Sequence, residues 1–175
     1  MKKATSIFLR SEIEPRDIEL LIHWMGNPHI TQYLNEKPNI VYSLRQLLLT
    51  IPAPMLTFHF NQKGHFFLVC RTTSDAIGFV KLQELPGYGS YEIVYVIGEE
   101  RLWGLGYGEG AIRSALATVF GEWGGKNVIA KIHPKNLRSI HCVYACGFRQ
   151  QSSTGNLLRY GITADEYIQH LLCKQ

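Results

Sequence analysis

The residues whose types and spacing point most directly to chemistry form one run, Arg101-Leu102-Trp103-Gly104-Leu105-Gly106-Tyr107-Gly108-Glu109-Gly110. Glycine at every second position lets the backbone take a positive φ and lets a ligand approach without meeting a Cβ. The next ten residues have helical period, with Ala111, Ile112, Ala115, Leu116, Val119 and Phe120 on one face. A glycine loop opening onto a helix aims unpaired N–H groups and the positive end of the helix dipole at one point. An anion suits that point, above all a phosphate or diphosphate. A Walker loop would need Lys and then Ser or Thr after its last glycine, and Glu109-Gly110-Ala111 supplies neither. A dinucleotide fingerprint drawn from Gly106, Gly108 and Ala111 would need an acidic residue after the next strand, and residues 128–131 hold none. A plain turn between strand and helix is the alternative that needs no ligand.

The loop must be held by the elements around it. Residues 91–97 read as the strand before it. The runs 66–70 and 77–82 read as two further strands, and turns at 72–75 and 86–89 make the three an antiparallel meander. Residues 128–132 form a strand reached through the helical crossover, so it should lie parallel to 91–97. Two parallel strands that part at their C-terminal ends leave a crevice, the usual ligand position in such sheets. Asn136 can cap a helix carrying Leu137, Ile140, Val143 and Tyr144, with Gly147 ending it and Phe148 packing back. Earlier in the chain, residues 6–10 suit a strand and Pro15 opens a helix through Ile18, Leu21, Ile22 and Met25. A short helix or turn comes next at 29–35, then a helix capped by Ser43 through Leu44, Leu47 and Leu48, ended by Pro52 and Pro54. The tail suits a strand at 157–160 and a helix at 164–172.

The chain has 175 residues, 46% hydrophobic and 18% charged, which fits one folded domain with a sizeable core. Its formal net charge of +4 is spread along the chain, with no basic run of the kind that binds nucleic acid. It does suit a ligand with several phosphates. Arg10 and Glu12 cut the first apolar run too early for a secretory leader, and no run approaches the ~20 apolar residues of a membrane span. Cys70, Cys142, Cys146 and Cys173 have no paired spacing; Cys142 and Cys146 share a helical face beside His141, and core packing is the simpler account than a metal site.

Two motifs then converge. Arg101-Leu102-Trp103-Gly104-Leu105-Gly106 resembles the Arg/Gln-x-x-Gly-x-Gly/Ala loop of the GNAT superfamily of N-acetyltransferases, which wraps the diphosphate of coenzyme A. The stretch Asn136-Leu137-Arg138-Ser139-Ile140-His141-Cys142-Val143-Tyr144-Ala145-Cys146-Gly147-Phe148 resembles that superfamily's later helix, in which Asn, Ser and Tyr precede a closing Gly-Phe. Residues 92–106 are similar to the ribosomal-protein-alanine (RimJ/RimL) subgroup, and Trp24, Asn27, Pro28, Tyr33 and Leu34 fit it more loosely.

This resemblance implies a single domain over 1–175 of α/β (α+β) class. A central mixed, mostly antiparallel sheet would be splayed between two parallel strands and flanked by helices. It implies acetyl-CoA as co-substrate and no metal. The diphosphate would lie on Arg101, Leu102, Trp103, Gly104, Leu105, Gly106 and Tyr107, and the pantetheine arm along Val94, Tyr95 and Val96. Asn136 would bond the pantetheine amides, cap its helix, or both; Ser139 would touch the ligand or serve the cap. Tyr144 would stand at the sulfur as general acid, with a core tyrosine as the alternative. Glu92 is the candidate base, because a carboxylate desolvated inside a sheet has its pKa raised toward the range useful for an amine. A solvent-facing Glu92 is the alternative, with Glu84, His29 and His133 as other bases, or water taking the proton from pre-placed substrates. The expected enzyme is cytoplasmic and moves acetyl directly to a primary amine, on a small molecule or a protein N-terminus, in a ternary complex. It has no nucleic-acid or membrane partner, and a homodimer is left open. A CoA-binding sensor or interaction module is the competing reading, and a dinucleotide-binding oxidoreductase a third.

Overall fold

The computed structural model describes residues 6–173; the basic start at 1–5, on which the leader argument partly rests, lies outside them. Its strands are β1 (Phe8–Arg10), β2 (His65–Thr72), β3 (Asp75–Glu84), β4 (Ser90–Ile97), β5 (Asn127–Ile132), β6 (Arg149–Thr154) and β7 (Leu157–Thr163). They form one sheet in the order β1-β2-β3-β4-β5-β7-β6. The meander β2-β3-β4 is antiparallel, as its turns predict. The crossover strand β5 runs parallel to β4, the one parallel pairing among the described residues. That pairing is short. Ser90, Tyr91 and Glu92 face Asn127, Val128 and Ile129, and there the ladder stops, although β4 continues to Ile97 and β5 to Ile132. The two strands therefore part at their C-terminal ends.

Period-two alternation sends successive side chains to opposite faces, and each face has its own core. On one side Phe66, Leu68, Phe79 and Val96 meet Ile18, Leu21 and Trp24 of helix α1 (Pro15–Met25) and Leu44 of α3 (Ile40–Thr50). On the other, Val69, Val80, Ile93 and Ile97 meet Ala111, Ile112, Ala115 and Leu116 of α5 (Tyr107–Leu116) and Val143 of α6 (Leu137–Ala145). A bidentate ion pair ties β1 to α1: Arg10 donates to both oxygens of the buried Asp17, at 2.8 and 3.1 Å. Past Leu116, α5 continues in a wider turn, with Trp123 N donating to Thr118 O five residues back.

Several elements differ from the sequence reading. The α3 helix begins at Ile40, so Ser43 lies inside it and caps nothing. A short α4 (Leu56–Phe60) comes after Pro52 and Pro54, where a stop was expected. The short helix α2 covers Pro28–Thr31, with the Asn27 side chain accepting from His29 N. An edge strand, β6, fills the stretch before β7, and α7 (Ala164–Leu172) closes the described chain.

Candidate functional site

Between the end of β4, the start of α5 and the start of α6 lies a cavity of about 300 Å³. Its rim and walls join parts of the chain far apart in sequence: Tyr33 and Leu34 after α2, Tyr95 and Val96 on β4, and Asn136 and Ser139 at the head of α6. Leu102, Trp103, Gly104 and Gly106 bring the glycine loop to it. Leu102 is buried and pins the loop to the core. The Trp103 indole N–H donates to Ile97 O at 2.8 Å, which holds the ring over the end of β4. Arg138 then lays its guanidinium 3.4 Å from the centre of that ring, a cation stacked at the cavity wall.

The loop has the conformation that glycine permits. Gly104 has φ 75° and Gly106 φ 92°, the left-handed region that side chains other than glycine rarely adopt. A Cβ added at Gly104 would meet no atom within 4 Å, so the space beside the loop is open. Gly106 caps α5 without any side-chain hydrogen bond. The first helical bond runs from Gly110 N to Gly106 O, at 2.9 Å. It leaves the N–H groups of Tyr107, Gly108 and Glu109 without a helical acceptor, at the positive end of the dipole. These features fit the diphosphate of coenzyme A, and they fit its arm as well. Beyond Glu92 the backbone edge of β4 that faces β5 has no ladder partner, so its polar groups can bond an extended chain laid along it. Asn136 accepts from Ser139 N at 3.3 Å through Oδ1, which is the cap, and the residue is part of the cavity lining.

Eight of the residues singled out from sequence therefore line one cavity: Tyr95, Val96, Leu102, Trp103, Gly104, Gly106, Asn136 and Ser139. Others stand outside it. Arg101 is exposed, with its Nε 3.4 Å from Glu99. Leu105 is exposed, Tyr107 lies under Arg71, and Val94 sits in the β3–β4 ladder opposite Lys81. Tyr144, expected at the sulfur, has other neighbours in this structure. Tyr144 is not among the residues that line the cavity. Its ring packs edge-on against Tyr160 of β7, 5.3 Å between centroids, and the residue is 48% exposed. Glu92 is half-buried, and its Oε2 lies 2.8 Å from Lys131 Nζ on β5, in an ion pair. Of the other base candidates, His29 pairs loosely with Glu100, His133 stacks on Tyr33, and Glu84 lies beside His65 at the opposite end of β4.

Sequence reasoning gave Arg138, His141 and Cys142 no part in ligand binding, although they line the cavity. Arg138, His141 and Cys142 fall on the side of α6 that carries Ser139, so the helical period could have found them once the cavity was known. Among the described residues, no group of three His, Cys, Asp or Glu is placed to hold a metal, and no helix is long and apolar enough to cross a membrane.

Residues 7–149 match the acetyltransferase (GNAT) domain family, and the chain belongs to that family. It is 24% identical over 142 residues to the uncharacterised N-acetyltransferase p20 of Bacillus licheniformis, covering 80% of this chain and 78% of that one. Its fold is similar to that of spermidine N-acetyltransferase from Vibrio cholerae, solved with CoA and spermine, at TM-score 0.75 and 21% identity, covering 93% of this chain and 98% of the other. It is equally similar to an aminoglycoside acetyltransferase in complex with coenzyme A, at TM-score 0.75 and 17% identity, covering 94% and 98%.

Proposed function

We propose that the protein is an acetyl-CoA-dependent N-acetyltransferase that moves the acetyl group directly to a primary amine within a ternary complex. The observation that carries this reading is the Gly104–Gly106 cradle at the head of α5, beside a cavity walled by Tyr95, Val96 and Ile97, the stretch of β4 that lies past the end of its ladder with β5. Tyr107, Gly108 and Glu109 N–H groups would hold the diphosphate, and Arg138 adds a cation at the same mouth. Asn136 and the free edge of β4 would hold the pantetheine amides and the thioester carbonyl. Hydrogen bonds to that carbonyl strengthen as the amine attacks and negative charge builds on oxygen, so they favour the transition state over the ground state.

The amine nitrogen forms the new C–N bond, the C–S bond breaks with its electron pair going to sulfur, and the amine's surplus proton passes to water. Glu92 is held by Lys131 and Tyr144 faces β7, so neither is assigned the proton transfers. Alignment of the two substrates supplies the main gain. The known acceptors of similar folds, an aminoglycoside and a polyamine, support an amine acceptor; a protein N-terminus belongs to the same chemical class. The enzyme is read as cytoplasmic on its sequence composition.

Titration calorimetry with acetyl-CoA, then thiol release over a panel of polyamines, aminoglycosides, amino acids and N-terminal peptides, tests the proposal. Micromolar binding and turnover with at least one amine are expected. Binding without thiol release from any of them would favour a CoA-binding module, the reading that the positions of Glu92 and Tyr144 would then explain. No binding of acetyl-CoA would end both.

A further inference from the structure

Beyond the core under α1 and α3, the same face of the sheet carries charge instead of apolar residues. Val128, Ala130 and Ile132 of β5 point into the core under α5 and α6, so the period-two strand sends Lys131 to the opposite face. Leu158, Tyr160 and Ile162 of β7 do the same, and Arg159 goes with Lys131. The register sets these two cations directly opposite each other. Like charges so placed repel, and Glu92 offsets only one of them, through its pair with Lys131. Arg159 is held by an amide: its Nε donates to Gln151 Oε1 at 3.1 Å, and the Gln151 side chain lies over Gly161, where a Cβ would collide with it. Lys81, opposite Val94 on β4, shares the face of Phe79 and Val96. Neither Arg159 nor Lys81 has a carboxylate within ion-pair distance among the described residues. Extending the β4–β5 register past Glu92 and Ile129 puts Val94 level with Lys131, so Lys81, Lys131 and Arg159 form one row across the split.

The row adjoins the cavity. Val96, two residues beyond Val94, lines it, and so does Tyr33, on which His133 stacks at 5.2 Å between ring centroids. His133 is two residues beyond Lys131. Two strand residues advance about 7 Å and a paired strand adds ~5 Å, so a nitrogen at the level of Val96 and His133 sits roughly 7–10 Å from the cations. We infer that the acceptor is a primary amine bearing a carboxylate or phosphate at about that distance from its nitrogen, and that Lys131 and Arg159 bind this anion. The inference rests on the acetyltransferase reading and deepens it by naming the substrate class. The terminal N–H groups of Arg159 form a fork that matches two anion oxygens, and the Lys131 ammonium has donors beyond the one it gives Glu92. Glu109 is the one carboxylate in the cavity lining, and it is paired with Arg113, so nothing there compensates a second ammonium on the acceptor. The row repels a polycation. It also favours the neutral form of the attacking nitrogen, because like charge nearby lowers the pKa of an amine.

Thiol release from acetyl-CoA is measured with tripeptide amides that share an N-terminal serine and differ at the second residue, glutamate, glutamine or lysine. Aminobutyl phosphate beside aminobutanol separates phosphate from carboxylate as the anion, and spermidine supplies the polycation. The wild type should favour the glutamate over the glutamine peptide by roughly 3- to 10-fold in kcat/KM, mostly through KM, between the effect of an exposed ion pair and that of a charge-assisted hydrogen bond. The preference should shrink as salt rises. Arg159→Gln should cut it to below about 2-fold, and Arg159→Glu should reverse it in favour of the lysine peptide, with acetyl-CoA affinity level in both and the fold checked by circular dichroism. A reversed preference cannot come from a lost fold. No preference for an anionic amine in the wild type, a glutamate preference that survives in Arg159→Glu, or a spermidine rate above that of every anionic amine would overturn the inference and leave the acetyltransferase reading standing. A fall in acetyl-CoA affinity in Arg159→Gln would overturn it too, by giving the row to the phosphates of the cofactor. A wild-type protein that does not bind acetyl-CoA removes both.

Discussion

Cys142 and Tyr144 are two residues apart on α6, and of the two only Cys142 lines the cavity. Motif spacing in a sequence records distance along the chain, whereas access to a cavity depends on angle around the helix. Val143, beside Tyr144, is fully buried against the sheet, and the tyrosine is carried past it to Tyr160. Tyr144→Phe should therefore change turnover and CoA affinity by less than about 2-fold, the usual effect of a substitution away from any special feature. Steady-state kinetics with an active amine check this; a drop of tenfold or more with CoA binding intact would return the hydroxyl to the chemistry. Glu92 has a different lesson. Its partner, Lys131, is 39 residues away, and only the β4–β5 register brings the ammonium to 2.8 Å. No local pattern in the sequence announces such a pair.

At the level of elements, the loop and the two helices beside it make separable contributions. Gly106 combines the left-handed φ of 92° with a place on the cavity wall. Gly106→Val should cost about 1–3 kcal/mol of stability from backbone strain alone, and it should abolish acetyl-CoA binding because the branched side chain fills the cradle. Calorimetry on a variant shown to be folded by circular dichroism separates the two effects. Retained binding would show that the ligand does not use this loop. Asn136→Ala removes the α6 cap, worth ~1 kcal/mol and a fall of about 2–4 °C in melting temperature. It should weaken CoA binding in addition, through the lost amide NH₂; a stability loss with affinity untouched would leave Asn136 as a cap only. These elements were legible in the sequence because glycine, proline and Asn punctuate them and apolar residues recur at helical period. The elements that escaped it lack such marks. In β6, Arg149-Gln150-Gln151-Ser152-Ser153-Thr154 is a polar edge with no alternation, recognisable only by its pairing with β7. The short α4 hides behind two prolines, and the true start of α3 has an Asn39 that makes no cap hydrogen bond.

Across the whole molecule, the same sheet that splits to receive a ligand is sealed on both faces by side chains that include ionisable ones. Burial is the leading cause that pushes the phenols of Tyr91, Tyr95, Tyr160 and Tyr167 above their ordinary range, and it likewise raises the thiols of Cys70 and Cys142. Each of these groups is neutral when protonated and easier to ionise in the unfolded chain, so at high pH the folded state binds more protons than the unfolded one. The slope of stability with pH then has a negative sign. The contribution is fully present below the unfolded values, about 8.5 for thiols and 10 for phenols, and is lost as pH rises through the higher folded values. Stability should thus fall steadily above pH ~9, by up to about 1.4 kcal/mol per pH unit for each group fully protected in the folded state. Melts monitored by circular dichroism between pH 7 and 11, with phenolate absorbance read in the same cell, measure it. Part of the phenolate signal should appear only as the circular dichroism collapses, from the tyrosines that the fold shields. If every phenol ionises smoothly near pH 10 while the fold persists, the sheet is open to solvent on at least one face, and the sealed wall behind Tyr95 is open with it.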